Sequence, residues 1–211
     1  PISAVHGHGT GDLLDEVVAA LPEPAEEPEY PEDALRVAII GRPNVGKSSI
    51  TNRFAGKNRS IVSDVAGTTR DALDVIVERG DKRYRLVDTA GMRKRNLVHE
   101  DVEYYSLVRG LRAIDEAEVC LLVVDASEGV TEQDQKIAGL AIERGCALII
   151  LLNKWDLVTD DHAREEVMQS VARRMTFAPW APVIRVSALT GRSLEKVWAV
   201  VDRVGAAHSG Q

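Results

Sequence analysis

Residues Gly41-Arg42-Pro43-Asn44-Val45-Gly46-Lys47-Ser48 carry the spacing G-x-x-x-x-G-K-[ST], with Ser49 following. Glycines let successive backbone N–H groups turn inward around phosphate oxygens, and a helix beginning there adds a favourable dipole. Lys47 brings a point charge to terminal phosphates, and the Ser48 hydroxyl is a hard oxygen donor for Mg²⁺. Farther on, Asp88-Thr89-Ala90-Gly91 closes the run YRLVD. An aspartate at the carboxyl end of a strand holds Mg²⁺ through water, and the Gly91 N–H is open enough to meet a γ-phosphate; without the phosphate loop it would be a turn Asp before a capping Thr. Asn153-Lys154-Trp155-Asp156 closes LIILLN. A carboxylate there accepts from guanine's ring N–H and exocyclic amine, a pair of donors that adenine lacks. Asn153 is expected to brace the loops and the Lys154 stem to cover the base plane. Ser187-Ala188-Leu189 then offers a backbone N–H to the guanine carbonyl.

Such residues need a scaffold that brings strand ends together. Apolar, strand-like runs alternate with helical patterns, which predicts a mostly parallel sheet flanked by helices. Strands are expected at 36–40, 73–78, 84–87, 119–124, 147–152 and 183–186. The second and third form an antiparallel hairpin turning at Gly80-Asp81. Helices are expected at 47–54, through 115, and at 132–143, 161–174 and 194–204. Two long irregular segments, 55–70 and 91–99, separate them. Six strands with one antiparallel pair fit a nucleotide switch better than a dehydrogenase.

The 211 residues carry a formal charge of −7 and no apolar run long enough for a transmembrane helix. The charge is unevenly placed. Residues 1–35 hold nine acids and no Lys or Arg, leaving 24 acids against all 26 bases, a formal +2, in the rest. Four of the eight prolines fall between Pro22 and Pro31. The stretch PEPAEEPEYPED repels itself and cannot bury apolar surface, so it reads as an extended linker, with an acidic docking motif around Tyr30 as the alternative. Cys120 and Cys146 each lie in an apolar run and are expected to be buried free thiols on strands, as suits a reducing cytoplasm. His6 and His8, in HGHGTG, read as loop residues rather than metal ligands. Arg93, Lys94 and Arg95, with Arg79, Lys82, Arg83 and Arg85 on the hairpin, form either a solvated basic surface or a nucleotide-controlled patch facing RNA or another domain.

The opening PISAVHGHGTGDLLDEVV parallels the closing VIRVSALTGRSLEKVWAVV. Both run from Ser-Ala through a Gly-containing loop and Leu into an amphipathic helix. Together with Pro1 in place of an initiator Met, this predicts a fragment: 1–21 the tail of a preceding domain, 22–34 a linker, 35–205 a complete second domain, and 206–211 the start of another linker.

In this order GRPNVGKSS, DVAGTTRD, DTAGMRKR, VCLLVVDASEGVTEQDQ, NKWDL and VSAL resemble the translation-factor-like branch of P-loop GTPases, and within it the Der (EngA) family, bacterial GTPases with two tandem G domains and a KH-like domain. The resemblance spans the whole chain and is to the second G domain. It implies an α/β P-loop GTPase fold, a mostly parallel six-stranded sheet flanked by helices, and GTP hydrolysis coupled to maturation of the large ribosomal subunit and its rRNA, with the neighbouring G domain and KH-like domain as partners. It also implies that Thr69, or alternatively Thr68, joins Ser48 and Asp88 around Mg²⁺. Met92 stands where Ras-like proteins have Gln, and a thioether cannot orient the attacking water. Related GTPases with Asn44's counterpart hold K⁺ beside the phosphates, which implies the same role for Asn44 and a slow, potassium-stimulated reaction. Three alternatives stay open: a nucleotide-binding module that scarcely hydrolyses, a P-loop kinase, and a tRNA-modifying GTPase, which shares GTTRD.

Overall fold

The computed structural model describes Glu16 and residues 30–56, 59–60, 74–87 and 110–209. The expectations for the opening repeat, for Thr68 and Thr69, for Asp88 to Met92 and for Arg93 to Arg95 lie outside the described residues.

Strand β1 is Leu35–Ile40, followed by helix α1, Lys47–Ala55, and the short strand β2, Arg59–Ser60. The hairpin is β3, Val75–Arg79, and β4, Lys82–Leu86. Helix α2 is described over 110–116. Then come β5, Val119–Asp125; α3, Glu132–Glu143; β6, Ala147–Asn153; a 3₁₀ turn, Trp155–Leu157; α4, Asp161–Arg174; β7, Val183–Arg185; and α5, Leu194–Ser209. The sheet order is β2-β3-β4-β1-β5-β6-β7. β1 pairs in parallel with β4 on one side and β5 on the other, and β6 and β7 continue in parallel.

β5 and β6 are buried along their entire length, because helices cover both faces of the sheet. Alternation along β1 sends Val37 and Ile39 to one face and Ala38 and Ile40 to the other. On the first face lie Ile50 and Phe54 of α1 and Val197, Trp198 and Val201 of α5. On the second lie Ala113 and Ile114 of α2, Ala138 and Ala141 of α3, and Val167 and Val171 of α4. The chain leaves β1 toward β4 and later returns to β5 on the opposite side. The crevice at the carboxyl end of β1 is therefore a topological switch point, where open α/β sheets bind ligands.

Three expectations need correction. Among the described residues the sheet has seven strands, since β2 pairs antiparallel with β3 at its edge; a two-residue strand is too short to leave a periodic signal. The hairpin strands are offset, with Arg79 opposite Lys82 across Gly80-Asp81 and Gly80 at φ 63°. Charged residues can occupy this pair because each finds a partner: Arg79 meets Glu195, Lys82 meets Asp202 at 2.7 Å, Arg83 meets Asp33 at 2.6 Å, and Arg85 meets Asp74 at 2.5 Å. Third, α5 runs to Ser209 rather than ending near Val204. Gly205 does not stop it, because the missing side chain lets the helix pack onto Leu35.

Each of the hairpin's four bases thus has a carboxylate beside it, while the rest of the expected basic segment, Arg93 to Arg95, lies outside the described residues. The end of the acidic stretch is likewise engaged. The Arg85 guanidinium lies 3.7 Å from the centroid of the Tyr30 ring, and Ala34 is buried. Cys120 and Cys146 are free and buried as expected, although Cys146 lies one residue before β6 and donates to the Ile114 carbonyl at 3.2 Å.

Candidate nucleotide site

The phosphate loop spans residues 41–48, from the end of β1 to the start of α1. Gly41, Asn44 and Gly46 have φ of 138°, 63° and 102°. At both glycines space as well as backbone forbids a side chain: a Cβ on Gly41 would strike the Val123 carbonyl oxygen, and one on Gly46 the Asn153 amide. No side chain caps α1, and its first turn holds no acid. The helix start is thus left with amides free to meet an anion. The Lys47 ammonium donates to the Gly41 carbonyl at 2.7 Å and the Arg42 carbonyl at 2.6 Å. Burial pushes its pKa down to about 8, partly opposed by the charge of Asp134. Val45 is buried, Pro43, Asn44 and Ser49 are exposed, and Ser48 is half-buried on the first turn of α1. The Arg42 side chain is held by Asp134 at 3.0 Å and Glu128 at 2.8 Å.

The base end is built from the ends of β5, β6 and β7. Asn153 ties the two halves together as expected: its amide donates to the Val45 carbonyl at 2.8 Å, and its oxygen accepts the Ala188 N–H at 2.9 Å. Lys154, at φ 60°, donates to Asp125 at 2.5 Å, leaving its stem along the turn. Burial works to raise the Asp125 pKa, but the hydrogen bonds from Lys154 and Ser127 outweigh it and hold the carboxyl low. Trp155 is buried in the core, with its N–H on the Val186 carbonyl and Arg185 above its ring. Its place is to fix the turn that carries Asp156. Asp156 Oδ1 is buried and has no hydrogen-bond partner among the described residues. Ser187 is fully buried and its hydroxyl accepts the Thr190 N–H at 3.1 Å, while Leu189 is exposed.

Three residues outside the phosphate and base loops complete the site. Asp125 anchors Lys154, Asp134 meets Arg42, and Arg53 reaches from the last turn of α1 to the Ala188 carbonyl at 3.0 Å and to the Leu189 carbonyl. Only Asp125, at the end of a buried strand beside the phosphate loop, had a visible sequence signal.

An orphaned buried carboxylate oxygen fits a ligand with two adjacent N–H donors, since leaving it unpaired costs about 1–3 kcal/mol or more. Together with the phosphate loop at the switch point, it defines a nucleotide-binding domain of the P-loop class. The sequence pattern of the family described as a 50S ribosome-binding GTPase matches residues 36–154. The chain belongs to that family. GTPase Der of Heliobacterium modesticaldum is 55% identical over 205 residues, 97% of this chain and 46% of that protein. GTPase Der of Moorella thermoacetica is 52% identical over 209 residues, 98% of this chain and 47% of that protein. The resemblance stated from the motifs is borne out, and the chain spans about half the length of these curated relatives. Among solved structures, an Era variant of Aquifex aeolicus bound to GDP·AlF4⁻ superposes with a TM-score of 0.60 at 26% identity, covering 82% of this chain and 57% of that one. Era in complex with MgGDPNP and part of 16S ribosomal RNA gives 0.61 at 24% identity over the same shares, a likeness of fold. No described helix is long and apolar enough to cross a membrane.

Proposed function

We propose that this chain binds GTP and GDP and hydrolyses GTP to GDP and phosphate as a conformational switch. The observation that carries the reading is the unpartnered, buried Asp156 Oδ1, at the carboxyl end of the sheet that also carries the phosphate loop. Guanine supplies its missing donors. Arriving phosphates draw Lys47 from the Gly41 and Arg42 carbonyls, and the loop amides stabilise the charge that develops on the transferred phosphoryl group. Ser48, Thr69 and Asp88 would hold Mg²⁺ through the hard oxygen donors it prefers, and the ion would neutralise phosphate charge. Gly91 meets the γ-phosphate, and the segments around Thr69 and Met92 release when it is lost.

Asn44 would hold K⁺, which would supply the charge an arginine finger otherwise brings, since the Met92 thioether cannot orient water. By family, the switch serves assembly of the large ribosomal subunit in the cytoplasm. The fragment comprises the end of one G domain at 1–21, the linker 22–34 and a second G domain at 35–205, with 206–211 leading on to a KH-like domain. The deciding experiment is titration with GDP and ADP, followed by GTP turnover in KCl and NaCl at equal ionic strength. GDP should bind at least about 10³-fold more tightly than ADP. Equal affinities would sink the guanine reading, and equal rates in the two salts would remove K⁺ from Asn44.

A further inference from the structure

Asp134 lies on the first turn of α3, 92 residues beyond Arg42, and its carboxylate is completely buried. Its two oxygens do different things. Oδ2 accepts the Thr131 N–H at 2.9 Å and the Thr131 hydroxyl at 2.8 Å, closing the capping box of α3. Oδ1 takes no part in the cap; it accepts from Arg42 Nε at 3.0 Å. Arg42 Nη2 meanwhile donates to Glu128 at 2.8 Å. Two fork positions of one guanidinium are therefore fixed by two carboxylates, one in the loop after β5 and one on the first turn of α3. The backbone of the same arginine accepts the Lys47 ammonium at 2.6 Å. A residue pinned by its side chain on one side and by its carbonyl on the other leaves the Gly41-Arg42 peptide little freedom. Capping α3 alone would need one oxygen and no arginine.

We infer that Asp134 is a positioning residue for the phosphate loop, acting through Arg42, and that Arg42 serves the site by this tie rather than by touching phosphate. The inference deepens the nucleotide reading and rests on it. Through the tie, the start of α3 holds the carbonyls that store Lys47 between ligands, so the loop meets phosphate preorganised. Arg42 also offsets the Asp134 charge, which would otherwise repel an incoming anion.

The test is GDP titration by calorimetry on the whole chain and on Arg42→Ala, Asp134→Asn and the double variant, alongside nucleotide-free thermal unfolding. Asn at 134 keeps an oxygen for the cap, so α3 can still form. Each single variant should weaken GDP binding about tenfold. The double should be no weaker than the worse single, because both break one tie. Arg42→Lys, keeping the charge but losing the fork, should recover part of the loss. Unchanged GDP affinity with only a lowered Tm would reduce Asp134 to a helix cap and overturn the inference. Losses that multiply to about a hundredfold in the double would also overturn it, since two separate roles multiply. A wild-type chain that binds no GDP would instead overturn the nucleotide reading, and the inference with it.

Discussion

The two ends of the site are finished differently. At the phosphate end every charged group described is already engaged: Lys47 on two carbonyls, Arg42 on two carboxylates. At the base end Asp156 leaves one buried oxygen with nothing to accept among the described residues. The phosphate end is thus stable without ligand and must exchange internal bonds for external ones. The base end carries an oxygen that none of the described residues satisfies and that a guanine donor would. Affinity from phosphate is a difference between two satisfied states, whereas affinity for guanine is repayment of an existing deficit. Discrimination belongs where the deficit is, because a wrong base leaves it in place.

The strongest way to break this contrast is Asp156→Ala. It should weaken GDP binding by about 10³-fold while leaving the nucleotide-free Tm unchanged or raised, since it removes a buried unpaired oxygen. Calorimetry and thermal unfolding on the same preparation check both halves; a clear drop in Tm would show that Asp156 is structurally satisfied and dissolve the contrast. Lys47→Ala should behave oppositely. It should cost about 10²-fold in GDP affinity and, measured near pH 10 where the buried charge has largely ceased to oppose folding, also lower nucleotide-free stability by about 1–2 kcal/mol, because two loop carbonyls lose their donor. A variant that binds weakly yet unfolds at the wild-type temperature would mean the stored position of Lys47 contributes nothing.

What the sequence made legible follows the same divide between local and distant causes. GRPNVGKS and NKWD announced themselves because their chemistry is contiguous, and the ends of α3 and α4 fell at the expected residues because caps and apolar periodicity are local signals. The brace by Asn153 was also foreseeable, since a strand-end amide beside a phosphate loop has few other partners. Arg53, Asp134 and Glu128 were not, because each acts across a gap in sequence that only the fold closes. Arg53 reads locally as an ordinary last-turn cation, and Asp134 as an ordinary cap. The partners of the hairpin bases were hidden for the same reason: Asp33, Asp74, Glu195 and Asp202 reach them from other parts of the chain. Charge counted along a sequence is not charge presented on a surface.

Arg53 offers a finer test at the base end. Its guanidinium holds the Ala188 and Leu189 carbonyls and so sets the loop proposed to meet the guanine carbonyl. Arg53→Ala should weaken GDP binding about tenfold, in line with loss of charge-assisted hydrogen bonds to backbone, while leaving competition by inorganic pyrophosphate unaltered. If pyrophosphate weakened equally, α1 would be transmitting the change and the two ends would not be separable.

The smallest effect is a pH dependence confined to the phosphate end. Burial holds the free-state Lys47 pKa at about 8 against an ordinary 10.5. Bound phosphates favour the ammonium and raise that value. Below pH 8 the group is charged in both states, so affinity is flat and no proton moves. Above it, binding must take up a proton, and affinity should fall by up to about tenfold per pH unit until the ordinary range is reached. The nucleotide-free fold shows the reverse sign: a depressed lysine opposes folding most fully below pH 8, and this opposition fades as pH rises toward 10.5. Calorimetric GDP titrations in two buffers of unlike ionisation heat, near pH 7 and near pH 9, measure the proton directly. Uptake should be close to none at the lower pH and approach one at the higher. No uptake near pH 9 would mean that the two carbonyls keep Lys47 charged despite burial, so that the phosphate end waits for its ligand fully ionised.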